Sequence, residues 1–126
     1  MIGPVSIDHL VFRISSFDKT ERFYNALLGP PTYRDEESLM YIVGGTRIFF
    51  TLAVESELGT YDKESIGLNH IAFGVRSLAE LEAMQAQRDS SGIENSGIKI
   101  DEYGLKEFIW LDDPDGLRVE FYLRPE

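Results

Sequence analysis

The sequence predicts an α+β fold in which one strand–helix–three-strand unit is used twice. Two observations carry this. The stretches IDHLVFRIS, from Ile7, and LNHIAFGVR, from Leu68, match position by position and contain the chain's only histidines, His9 and His70. Apolar residues alternate along both, which is the period of a half-buried strand. Each stretch is also followed by a segment with helical spacing and then by two alternating runs around a glycine-containing turn.

The first strand runs into FDKTERFYNALLG from Phe17, where Phe23, Leu27 and Leu28 form an apolar helical stripe ended by Gly29 and Pro30. Its counterpart is LAELEAMQAQRD, with Leu78, Leu81 and Met84 at helical spacing before the loop SSG. SLMYIVGGTRIFFTL then reads as two strands around Gly44-Gly45. KEFIWLDDPDGLRVEFYL reads as two strands around Asp113-Pro114-Asp115-Gly116, with proline and glycine where a turn uses them. Gly45, Arg47, Ile48 and Phe50 match Gly116, Arg118, Val119 and Phe121. The extra residues of the second copy fall in the loop around Ser90 to Ile98. A short strand is expected before each hairpin, near Tyr33 and near Ile98–Ile100. One such unit cannot bury both faces of its sheet, so two are expected to pair.

At 126 residues, the chain is expected to form one domain over 1–126, with a first module at about 5–55 and a second at about 66–124. Hydrophobic residues at 43% supply material for a core. A net charge of −10 argues against nucleic acid or an anionic membrane as partner. The lack of cysteine removes disulfides, thiolate nucleophiles and cysteine metal sites together. No long apolar run or signal-like stretch is seen, so a soluble cytoplasmic protein is expected.

Strand alternation then sorts the side chains. Leu10, Phe12 and Ile14 face the helix, leaving His9, Val11 and Arg13 on the other side. Ile71, Phe73 and Val75 face the helix, leaving His70, Ala72 and Gly74. Val119 and Phe121 go to the helix side, and Arg118, Glu120, Tyr122 and Arg124 to the other. A single histidine or glutamate on a strand is commonly a surface residue. Here both imidazoles hold the repeated position and a carboxylate shares their face. Two histidines and one carboxylate with open positions form a set that suits Fe(II) or catalytic Zn²⁺.

These residues resemble the vicinal oxygen chelate superfamily, the glyoxalase, bleomycin-resistance and extradiol dioxygenase group. The resemblance covers essentially the whole chain and rests on IDHLVFRISSFDKTERFYNALLG, GLNHIAFGV and FIWLDDPDGLRVEFYL, with DPDG and the following glutamate as its most specific part. It implies two paired βαβββ modules forming an incomplete barrel around one divalent ion (Fe, Zn, Mn or Ni), and it matches His9, His70 and Glu120 to ligand positions. Glyoxalase I-like relatives place a further carboxylate ligand where this chain has Phe49. Extradiol dioxygenases add another histidine, and a tyrosine where this chain has Trp110. Fosfomycin-resistance transferases need that tyrosine too, with a serine- and lysine-rich anion loop that KIDEYGLKEF reproduces poorly. Bleomycin-sequestering relatives lack the metal ligands.

Strand parity is expected to place Leu39, Tyr41, Phe49, Phe108, Trp110 and Tyr122 around the ligands, as a pocket for a small, largely apolar organic molecule. Arg13, Arg47 and Arg118 share that face. Any of them could clamp a substrate carboxylate or phosphate, or pair with a rim acid such as Asp112, the role expected of Arg47. Tyr41, Tyr122 and Glu120 are the candidates for proton transfer, with metal-bound water as the alternative. The reading that follows is a metal-dependent lyase, isomerase, transferase or oxygenase acting by Lewis-acid chelation, in a homodimer. The alternative is a protein of the bleomycin-resistance type that binds or sequesters a small molecule such as an antibiotic.

Overall fold

The computed structural model describes residues 2–54 and 59–125, which divide into two compact units, Met1–Gly59 and Thr60–Glu126. The expected end of the first module, near residue 55, lies outside the described residues. The first unit comprises β1 (His9–Ile14), α1 (Phe17–Leu28), β2 (Tyr33–Arg34), β3 (Leu39–Val43) and β4 (Thr46–Leu52). The second comprises β5 (His70–Val75), α2 (Leu78–Ser90), β6 (Lys99–Ile100), β7 (Glu107–Asp112) and β8 (Arg118–Leu123). Their sheets run β1-β4-β3-β2 and β5-β8-β7-β6, so the same topology is built twice and neither four-stranded sheet closes into a barrel. No helix among the described residues is long and apolar enough to cross a membrane.

Each helix starts at a serine cap. Ser16 Oγ accepts the Lys19 N–H at 3.3 Å and Ser77 Oγ accepts the Glu80 N–H at 3.2 Å. Glu80 reaches back to accept the Arg76 N–H, which satisfies a further donor at the helix entrance. Helix α1 ends where Gly29 takes φ 85° and returns its N–H to Asn25 O. Its deepest residues are Thr20 and Tyr24, so the buried stripe runs one step beside the Phe23–Leu27–Leu28 line expected from hydrophobicity.

In both sheets the first strand pairs in parallel with the last, and matching phenylalanines stack across the pair. Phe12 and Phe50 stack with centroids 5.5 Å apart, and Phe73 and Phe121 at 5.6 Å. Tyr24 closes the first core over Phe50 at 4.5 Å. Ile109, Leu111, Val119 and Leu81 fill the second. The opposite face of each sheet carries no helix, and it holds both histidines.

The two hairpins differ in a way that governs side-chain placement. Gly44 and Gly45 both take positive φ, 56° and 87°, as a primed two-residue turn requires, and set Val43 opposite Thr46. The second turn spans five residues. Asp113 Oδ1 accepts the N–H groups of Asp115 and Leu117, and Asp112 stands opposite Arg118. A two-residue loop pairs odd positions with even ones, whereas a five-residue loop pairs like with like. Tyr41 therefore stands opposite Ile48, and Trp110 opposite Glu120.

Phe50→Ala and Phe121→Ala should each lower unfolding free energy by about 3–5 kcal/mol in urea titrations. Val11→Ala, on the exposed face, should cost under about 0.5 kcal/mol. Similar losses at Val11 and Phe50 would contradict this division of faces.

Candidate functional site

The helix-free face of the second sheet holds an open cleft of about 470 Å³. His70, Ala72 and Gly74 line it from β5, Glu120 and Tyr122 from β8, and Asp101 and Arg124 from beyond the strands. The small residues at 72 and 74 leave its floor open, while the alternating period of β8 brings Glu120 and Tyr122 up beside them.

His70 is held in one orientation. Its Nδ1 lies 2.8 Å from Asn69 Oδ1, and the Asn69 amide nitrogen donates to Lys63 O at 2.8 Å. The amide is thereby oriented with its oxygen toward the ring. That oxygen only accepts, so Nδ1 carries a proton, and in the neutral ring Nε2 keeps a free lone pair. Nε2 stands 3.6 Å from Glu120 Oε1, too far for a hydrogen bond. A free imidazole lone pair and a carboxylate oxygen thus lie side by side on the cleft wall.

The Glu120 side chain is only 15% exposed. Burial, the largest influence, raises its carboxyl above the ordinary range; the His70 ring opposes this, Asp101 adds to it and Arg118 opposes it. A bound cation would relieve the cost of ionisation here, so this donor pair fits a divalent metal ion.

The first unit repeats half of the arrangement. His9 Nδ1 lies 2.8 Å from Asp8 Oδ2, again the residue just before the histidine, and the hydrogen bond to His9 lowers the Asp8 carboxyl. The parallel register sets Val11 opposite Phe49 and Ala72 opposite Glu120. Phe49 is therefore the structural counterpart of Glu120, and its ring meets His9 edge-on at 5.9 Å. Among the described residues, no three histidine, aspartate or glutamate side chains stand together as a metal-binding group.

Other expected site residues separate into two sets. Phe108 and Trp110 share the face of Glu120 and Tyr122, and Phe108 stacks on Tyr122 at 6.1 Å. Leu39 and Tyr41 do not share the histidine face. They pair with Phe50 and Ile48, lie almost wholly buried against α1, and Tyr41 Oη donates to Asn25 Oδ1 at 2.7 Å. Burial pushes the Tyr41 hydroxyl far up, so this tyrosine is a core residue rather than a proton-transfer candidate. Parity had been carried across a two-residue turn that reverses it. The side chain that takes this place on the histidine face is Met40, opposite Phe49.

Arg118, not Arg47, takes Asp112. It forms a forked pair with bonds of 2.7 and 3.3 Å, and its guanidinium lies 3.6 Å above the Trp110 ring. Arg47 instead stands 3.9 Å from Asp8. Arg13 is bonded to Thr51 Oγ1 and Leu52 O, bracing the end of β4. Neither Arg13 nor Arg118 stands as an uncommitted clamp.

Tyr122 Oη donates to Asp101 Oδ2 at 2.9 Å, and the same oxygen accepts the Gly104 N–H. A Cβ at Gly104 would overlap Tyr122 Oη, so glycine there leaves room for the Tyr122–Asp101 hydrogen bond. Partial burial and the Asp101 bond raise the tyrosine's pKa, making it a hydrogen-bond donor rather than a base. The Asx-turn pattern DEYG was the only sequence signal for Asp101. Asn69 and Asp8 were missed, and the matched dipeptides NH and DH are the signal that could have found them.

Residues 6–121 match the family model of the Glyoxalase/Bleomycin resistance protein/Dioxygenase superfamily. The chain belongs to this superfamily. Its fold resembles a glyoxalase family protein from Enterococcus faecalis (TM-score 0.74, 24% identity, 93% of this chain and 96% of that one). It also resembles lactoylglutathione lyase from Agrobacterium tumefaciens (TM-score 0.75, 16% identity, 97% and 96%). At such identities the likeness is one of fold. In sequence, 59 residues are 37% identical to "Uncharacterized protein YaeR" of Escherichia coli (strain K12), covering 47% of this chain and 43% of that protein.

Within this glyoxalase-type frame two substitutions separate core from site. Tyr41→Phe should lower stability by about 1–3 kcal/mol through the unpaired Asn25 acceptor, and leave the affinity for any divalent ion unchanged. Weaker metal binding in calorimetry would place Tyr41 in the site after all. Glu120 keeps its proton to higher pH in the folded chain than in the unfolded one. Its ionisation therefore removes stability as pH rises from the unfolded value, about 4.3, through the raised folded value. Metal-free Glu120→Gln should melt with the parent at acid pH and above it near pH ~7; a variant less stable than the parent near neutrality would contradict this.

Proposed function

We propose that the chain is a divalent-metal-dependent enzyme of the glyoxalase/dioxygenase superfamily acting on a small, oxygen-rich organic molecule. His70 and Glu120 are two ligands of the ion, and His9 is the third, drawn from the same chain or from the partner in a homodimer. The observation that carries this reading is the orientation of His70, whose Nδ1 is held by Asn69 while Nε2 faces Glu120 in an open cleft. Imidazole and carboxylate donors suit Fe, Zn, Mn or Ni. Such an ion supplies Lewis-acid polarisation of substrate oxygens when bound.

The chain's own groups have distinct tasks in this reading. Asn69 and Asp8 hold the two imidazoles in the tautomer that leaves Nε2 free. Glu120, as a ligand, is not available as a base. Tyr122 Oη commits its proton to Asp101, so toward the cleft its oxygen is an acceptor for a substrate hydroxyl. Phe108 and Trp110 flank the row from Glu120 to Tyr122 and suit an apolar portion of the substrate. Phe49 replaces the fourth ligand, which favours lyase, transferase, isomerase or oxygenase chemistry on a three-ligand ion over the four-ligand pattern.

Protein purified without chelator should carry one divalent ion per chain by elemental analysis. Ion at about a hundred times its dissociation constant should stabilise the fold by about 2.7 kcal/mol. His70→Ala should abolish binding, and Asn69→Ala should weaken it by about 10- to 100-fold. Mixing His9→Ala with Glu120→Ala chains restores binding if the two units of one site come from different chains. No metal, with no melting shift on adding Mn²⁺, Fe²⁺, Ni²⁺ or Zn²⁺, would overturn the enzyme reading in favour of a metal-free binding protein.

A further inference from the structure

Among the described residues, Arg124 is the only lysine or arginine lining the cleft, and its commitments differ from those of the other arginines on the helix-free faces. Arg118 is paired with Asp112, Arg47 lies by Asp8, and Arg13 is bonded to Thr51 and Leu52. Among the described residues no carboxylate forms an ion pair with Arg124. Its guanidinium lies 5.2 Å from the centroid of the Tyr122 ring. The backbone beneath it is anchored, because Arg124 N–H donates to Val75 O at 2.6 Å. A Cβ at Gly74 would stand 3.4 Å from Arg124 Cβ, so glycine there keeps the floor below the arginine clear.

Glu120, Tyr122 and Arg124 occupy successive same-face positions along β8 and its extension. At about 3.3 Å per residue, Glu120 and Arg124 are roughly 13 Å apart along the chain. The cleft therefore has oxygen and nitrogen donors at one end and a guanidinium at the other, with Tyr122 between them. Asp101 and Glu120 would repel an anion placed elsewhere in it.

We propose that Arg124 forms an oxyanion subsite, so that the ligand of this cleft is bifunctional. One end offers chelating oxygens to the ion at His70 and Glu120, and the other carries a carboxylate or a phosphate bound by Arg124. This rests on the metal reading above and adds the substrate class to it. The planar guanidinium fork matches either anion in a bidentate pair.

Calorimetry on Ni²⁺-loaded protein with chain-length-matched chelators tests it. The probes are octanohydroxamate, which ends in a methyl group, suberic monohydroxamate, which ends in a carboxylate, and the ω-phosphonate counterpart. An anionic tail should tighten binding about tenfold over the methyl tail, and the gain should shrink with added salt. The better of the two tails identifies the anion. Arg124→Met should erase the gain while octanohydroxamate and Ni²⁺ bind as in the parent. Equal binding of all three probes by the parent, or a gain that survives Arg124→Met, would overturn the subsite and leave the metal reading standing. Failure to bind Ni²⁺ at all would overturn the metal reading, and this inference with it.

Discussion

In each unit the first strand pairs in parallel with the last, and the register of that pairing determines every placement in the site. His70 stands opposite Arg118 and Ala72 opposite Glu120. A slip of one residue in β8 would send Glu120 under the helix and Phe121 into the cleft. The stacked phenylalanines, Phe73 on Phe121 and Phe12 on Phe50, oppose such a slip, because it would move the buried Phe50 and Phe121 rings to the open face. The core therefore holds the His70–Glu120 geometry in place, through residues that alternate with them along the same strands.

Two copies of one unit have been given unequal chemistry. The residue before each histidine holds its Nδ1, but it is charged in the first unit, Asp8, and neutral in the second, Asn69. The difference has a physical reason. His70 shares its face with Glu120, whose ionisation already works against burial and a neighbouring Asp101. Another carboxylate at position 69 would add repulsion to that group. His9 has Phe49 in the place of the glutamate, and is more exposed at 54% of its side chain, so Asp8 beside it meets no such conflict.

The repeated strands, both helices, the turns and the short strands near Tyr33 and Lys99 were legible in the sequence because their signals are local. Alternation, helical spacing and glycine in a tight turn each act within a few residues. Faces were legible wherever one strand was judged alone, as for His9, His70, Glu120 and Phe49. Leu39 and Tyr41 were misplaced because their face depends on whether the hairpin loop is even or odd, a property of two strands together. Arg118 was misjudged since its partner became its neighbour only through the five-residue turn. Asp101 and Gly104 act on Tyr122 across the sheet edge, and no spacing rule reaches that far.

The central claim is that one ion is held by imidazoles delivered from the same position of a duplicated strand, together with Glu120. X-ray absorption at the metal edge of the Zn²⁺- or Ni²⁺-loaded protein tests it most directly, since imidazole rings scatter distinctively beyond the first shell. The predicted spectrum contains two imidazoles with the remaining ligands oxygen, falling to one imidazole in His9→Ala. A parent spectrum fitted by oxygen ligands alone, or by a single imidazole, would contradict the account.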